Sequence, residues 1–135
     1  GLSQSAPLNW LGQIDTTRVE GLDTLDLKLQ GTAIFVDIAR LYALANGVVV
    51  TGTRERFESV GQMLGVPEPE YQAWTGGFEF LQMLRLRAQL EGTAVGGNAN
   101  RIAVNHLNDI DRRILKETLR VLRMLQQRVR LDYER

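Results

Sequence analysis

The stretch Leu25–Gly47, LDLKLQGTAIFVDIARLYALANG, constrains this chain more than any other. It opens with alternation. Leu25, Leu27 and Leu29 fall on one side of an extended strand, and Asp26, Lys28 and Gln30 on the other. Gly31-Thr32 breaks the pattern. A helix over about 32–46 follows, with Thr32 placed to cap it and Gly47 to end it. Its residues Ala33, Ile34, Phe35, Val36, Ile38, Ala39, Leu41, Tyr42, Ala43, Leu44 and Ala45 are apolar on almost every side, so it belongs inside the fold. Asp37 and Arg40 interrupt it, three apart on one face. Charges on a buried helix must pair or face a ligand.

The other segments supply what packs around this helix. Val19 and Ile14 suit a short strand or hairpin arm with Gly21 at its turn, and Trp10 and Leu11 are expected to dock on the core. Thr53 is placed to cap a helix over about 54–64, with Phe57, Val60, Met63 and Leu64 inward. Tyr71, Trp74, Phe78, Leu81, Leu84 and Ala88 step by threes and fours and predict a helix over about 68–91. Gly76-Gly77 falls inside it, and each glycine costs about 1 kcal/mol relative to alanine. The pair implies a close approach of another segment or a break near Thr75, and a continuous helix is favoured. Residues 92–107 read as the longest loop. Asn108 caps a last helix over about 109–132, with Ile110, Ile114, Leu115, Leu119, Leu122, Leu125 and Val129 inward. The result is a mainly α domain: an antiparallel four-helix bundle with a short N-terminal strand or hairpin arm. Residues 10–135 form that single domain. Residues 1–9 read as a linker or tag remnant, and the initial glycine suggests a piece of a larger multidomain protein.

Bulk composition narrows the function classes. The 16 Lys+Arg balance 16 Asp+Glu, which gives no general attraction to nucleic acid or membrane. The chain has no cysteine and one histidine, His106, so disulfides, thiolate sites and histidine-rich zinc sites are out. No apolar run reaches a membrane span. A cytoplasmic setting is expected. There is no Walker loop, dinucleotide fingerprint or metalloprotease helix, and no catalytic site of its own.

Polar residues in apolar settings are the remaining candidates. Asp26-Leu27-Lys28 precedes a glycine turn and a helix start, where backbone amides and a lysine suit an anion. An exposed Asp–Lys pair at a strand edge is the alternative. Arg85 and Gln89 share one helix face with Arg87 turned away. Asp111, Arg112 and Arg113 read as surface charges.

Four segments, LDLKLQGTAIFVDIARLYALANGV, TGTRERF, FEFLQMLRLRAQLEG and LNDIDRRILKETLRVLRMLQQRVRLDY, together resemble the nucleotidyltransferase substrate-binding domain family over roughly residues 8–133. That domain follows a nucleotidyltransferase domain in bacterial proteins that often carry cyclic-nucleotide-binding and CBS domains. The pattern Asp26, Lys28, Gly31, Asp37 is also similar to a region of the uridylyltransferase of the PII signalling protein and of glutamine-synthetase adenylyltransferase. The resemblance implies a non-catalytic accessory domain that helps hold the nucleotide or a protein acceptor. Magnesium and a nucleoside triphosphate would belong to the neighbouring catalytic domain of the same chain. The implied substrate-binding residues are Asp26, Lys28, Asp37, Arg40, Arg54, Arg85 and Arg87. The alternative is a structural or regulatory module that relays a signal or forms a homodimer through the last helix without touching substrate.

Overall fold

In the computed structural model, which describes residues 4–133, the chain is mainly helical, with four α-helices and one three-stranded antiparallel sheet among the described residues. β1 (Thr17–Val19) and β2 (Leu22–Asp26) form a hairpin. Its two-residue turn, Glu20-Gly21, has φ of 52° and 77°, the left-handed pair that matches the twist of adjoining strands. The expected long loop at 92–107 is not free. It contains β3 (Arg101–Ala103), which pairs with β2 in the register Leu25–Ile102 and Asp26–Arg101. A single 3-10 turn, Val104–His106, follows.

The expected strand over 25–29 ends early, at Asp26. Asp26 is 4% exposed, and its Oδ1 accepts the N–H groups of Lys28 and Leu29 at 3.0 and 2.8 Å. Gln30 reaches back, its Oε1 accepting the Asp26 N–H at 3.0 Å. This is a reciprocal cap made on a wide turn. Lys28–Thr32 is π-helical, with the Thr32 N–H bonded to the carbonyl of Leu27 at 2.9 Å. Side-chain bonds to nearby amides thus compete with the strand and win. Leu27 stays buried, but Leu29 is turned out to solvent. Thr32 makes no cap, and α1 (Ala33–Ala45) continues directly from the π turn. Gly47, at φ 67°, terminates α1 as its position implies.

Helix α1 carries the core. Phe35 meets Phe57 of α2 (Thr53–Met63) edge-on at 6.3 Å between centroids and Phe78 of α3 (Glu68–Glu91) at 6.2 Å. Tyr42 stacks on Trp74 at 6.0 Å. Helix α2 begins one residue earlier than expected, with Gly52 rather than Thr53 as its N-cap. Met63 and Leu64 are exposed, and Gly61 faces inward in their place. A Cβ there would lie 2.5 Å from the Tyr71 ring, so α2 and α3 meet glycine against ring.

Helix α3 runs unbroken through Gly76-Gly77. Gly77 provides the close approach: a Cβ would lie 3.2 Å from Thr118 Cγ2 and 3.3 Å from Phe35 Cζ, while Gly76 faces open space. Asn108 caps α4 (Asp109–Tyr133), its Oδ1 accepting the Asp111 N–H at 2.7 Å. Leu115, Leu119, Leu122, Leu125 and Val129 form the buried stripe, whereas Ile110 and Ile114 lie on its flank and are exposed. Helix α2 packs between α1 and α3, and α4 packs on α3 and α1. None of the described helices is long and apolar enough to cross a membrane.

The N-terminal segment departs from expectation. Residues 1–3 of the proposed linker lie outside the described residues. From residue 4 on, the segment is strapped to α4: Gln126 accepts the Ala6 N–H at 2.8 Å and donates to the carbonyl of Gln4. Trp10 and Leu11 do not dock on the core. They sit exposed on the turn closed by the Leu8–Ile14 bridge.

Further along α4, near its C-terminus, the Tyr42 hydroxyl donates to Asp132 Oδ2 at 3.2 Å. Burial, then the Asp132 charge and hydrogen bond, push the phenol above its ordinary range. The fold therefore holds the neutral phenol. That contribution is full below the ordinary tyrosine pKa of about 10 and is lost as pH rises past it. Unfolding followed by circular dichroism is expected to show stability falling above about pH 10. Tyr42→Phe is expected to flatten that fall.

Candidate functional site

A cleft of about 550 Å³ opens between the C-terminal half of α3, β3 and the start of α4. Leu84, Ala88, Ile102 and Leu107 give it an apolar lining, and Arg87, Asp111, His106, Asn108, Thr93 and Glu91 add polar groups. The central feature is an ion pair. Arg87 NH1 donates to Asp111 Oδ2 at 2.5 Å, and Asn108 Nδ2 donates to the same oxygen at 3.3 Å. The Asp111 side chain is only 13% exposed and that of Arg87 38%, so the carboxylate is sunk and the guanidinium lies nearer the mouth. Met83 Sδ accepts a second guanidinium N–H at 3.0 Å. One arginine faces two carboxylates here, so the cleft does not attract a highly charged anion. A polar group on a neutral or amine-bearing ligand matches it better, with apolar contact beneath.

Contrary to the surface setting its sequence implies, Asp111 is nearly buried. Its place beside Asn108 in the first turn of α4 is visible in the sequence, but its partner lies 24 residues away and leaves no local pattern.

The expected substrate-binding residues do not form one cluster. Arg87 belongs to the cleft. Arg85 turns the other way, as the helix spacing implies: its Nε donates to Asn100 Oδ1 at 3.0 Å, and its NH1 to Thr32 Oγ1 at 3.1 Å and Gln82 Oε1 at 2.8 Å. These partners are neutral, so the charge of Arg85 is not cancelled by them. Gln89 follows Arg85 to the same loop, reaching the carbonyl of Ala99. Lys28 is exposed on the adjoining π turn.

Asp26, beneath that turn, is committed to the Lys28 and Leu29 amides and, through Oδ2, to Asn98 Nδ2 at 2.9 Å. The turn therefore has no spare amides at these positions for an anion. Gly31 serves a packing contact instead, since a Cβ there would lie 2.8 Å from Leu81 Cδ1. Asp37 pairs with Arg40 at 3.7 Å on the face of α1. Arg54 sits apart, bridging Glu58 and Glu79, and those two acids raise its pKa, Glu79 first.

Asp26 and Asp111 are engaged by amides, Asn108 and Arg87, and no group of three His, Cys, Asp or Glu side chains converges among the described residues.

A family model described as "Putative nucleotidyltransferase substrate binding domain" covers residues 2–133. No curated protein and no solved structure matches.

Proposed function

The chain belongs to that family, and from this premise we propose that it is the non-catalytic, substrate-binding accessory domain of a cytoplasmic, bacterial, multidomain nucleotidyltransferase. In this reading α1–α4 act as an antiparallel four-helix bundle beside the catalytic domain, which binds magnesium and the nucleoside triphosphate. Cyclic-nucleotide-binding and CBS domains of the same chain would sense the regulatory signal. The observation that carries the proposal is the cleft beside the half-buried Arg87–Asp111 pair, which combines an apolar lining with convergent polar groups. Its charge balance favours the acceptor over the triphosphate. Lys28 is exposed and Arg85 bonds neutral partners, so both suit the phosphates at the domain boundary. Asp37, Arg40 and Arg54, paired on other surfaces, would act through the domain contact.

The test is transfer activity and calorimetric titration of the full parent protein with nucleotide, magnesium and acceptor. A charge-assisted hydrogen bond contributes about 1.5–3 kcal/mol, so Arg87→Ala is expected to weaken acceptor binding by about 10- to 100-fold. Arg85→Ala is expected to weaken nucleotide binding instead. Arg87→Lys keeps Asp111 paired and controls for folding. Unchanged binding in both alanine variants would remove the site.

A further inference from the structure

Trp10 is 89% exposed, yet the turn that carries it is tightly bonded. Asn9 Oδ1 accepts the N–H groups of Leu11 and Gln13 at 2.9 and 3.0 Å. The Asn9 N–H bonds the carbonyl of Gln13 at 2.8 Å, and Gly12, at φ 78°, lets the turn close. Arg123 of α4 donates to the carbonyl of Asn9 at 3.0 Å and fixes the turn to the helix. A preorganised aromatic held in water is what an interface anchor looks like before its partner arrives.

The other flank of α4 carries a groove. This apolar groove of about 320 Å³ runs between α3 and α4, lined by Ala73, Gly76, Phe80, Ile114 and Val121, with Arg113 and Glu117 as its charged members. At 100° per residue, Arg120 and Arg123 lie to one side of the outward face of α4, and Ile114 and Val121 to the other. The turn therefore cannot fill the groove of its own molecule. Met124 and Leu131, one heptad apart and both exposed, lie between the two flanks. A two-fold axis parallel to α4 carries the turn flank of one copy onto the groove flank of the other, twice and at similar height. It also brings Met124 and Leu131 against their copies.

We propose that the chain forms a parallel two-fold dimer in which Trp10 and Leu11 of each copy fill the α3–α4 groove of the second. Glu117 accepts from Arg120 through Oε1, and its second carboxylate oxygen gives the buried indole N–H an acceptor. The dimer uses none of the cleft residues and does not depend on the substrate reading.

Sedimentation velocity of the 135-residue chain over a concentration series is expected to show a dimer. Gly76→Arg gives the sharpest test. Position 76 is open, so the side chain occupies the groove without a clash, and replacing a mid-helix glycine raises the melting temperature. A monomer that melts higher than monomeric Trp10→Ala is the expected result, with dimer affinity down by at least about tenfold. Trp10→Ala should also be monomeric, and its melting temperature should match that of wild type diluted to the monomer. The chain lacks cysteine, so mixing Leu11→Cys with Ile114→Cys under mild oxidation should yield a cross-linked heterodimer. A wild-type monomer at all concentrations, a dimer that survives both Gly76→Arg and Trp10→Ala, or a mixed pair that does not cross-link would each overturn the proposal.

Discussion

Replacing Phe35 by alanine is expected to cost about 4 kcal/mol of folding stability. Phe35 is fully buried and holds three helices together through Phe57, Phe78 and the bare face of Gly77. Truncation removes the ring from water-free surroundings and leaves a cavity. Gly77 has no side chain to move into it, so little collapse can recover the loss. A domain of this size has about 5–15 kcal/mol in all, so the variant should stand close to its unfolding threshold at 37 °C. Urea unfolding checks this through a lower midpoint with the slope unchanged. Phe35→Leu keeps most of the volume and should lose less than about 1.5 kcal/mol. A loss below about 1 kcal/mol for the alanine variant would mean that the three-helix junction is not the centre of the core.

Asp26→Ala is expected to cost about 3 kcal/mol, because a nearly buried carboxylate that accepts three hydrogen bonds is removed and the amides of Lys28 and Leu29 lose their acceptor. The resulting damage should be local. Hydrogen exchange at residues 28–32 should accelerate before the rest of the chain opens. Asp26→Asn retains an oxygen for the two amides and loses only the Asn98 bond, so about 1 kcal/mol is expected. These values separate two roles for Asp26. If it contacted substrate and capped nothing, the alanine variant would keep its stability and lose binding alone.

Long-period features were the most legible from sequence. The 24 residues of α3 follow their apolar steps to the end, Asn108 caps α4, and Gly47 and Gly21 turn where their chemistry requires. The division of Arg85 and Gln89 from Arg87 followed from helix geometry alone. The errors have separate physical causes. Met63, Leu64, Ile110 and Ile114 extend apolar stripes that are wider than the buried faces, so hydrophobicity overcounts the core. β3 is three residues long, too short to show a period. The Asp26–Gln30 cap mimics strand alternation because its apolar and polar residues happen to alternate, and only the side-chain bonds reveal a turn. Within the cleft, the sunken setting of Asp111 was not legible, since pairing across two helices has no signature along the chain. The exposed setting of Trp10 was illegible for the same reason: composition marks an indole as buried, and the Asn9 bonds that hold it out are local and polar.

The π turn over Lys28–Thr32 sets the reading frame of α1. Each residue advances a helix by about 100°, so the length of this five-residue turn decides which side chains face inward downstream. Loss of one residue ahead of α1, with the sheet held in register and the five-residue turn retained, would bring Val36 to the place of Phe35, Ala39 to that of Ile38 and Ala43 to that of Tyr42. Each incoming side chain is smaller than the one it displaces. The extra residue in the turn therefore matches the two-residue phase of β2 to the helical phase of the core, and insertions or deletions are least tolerable here.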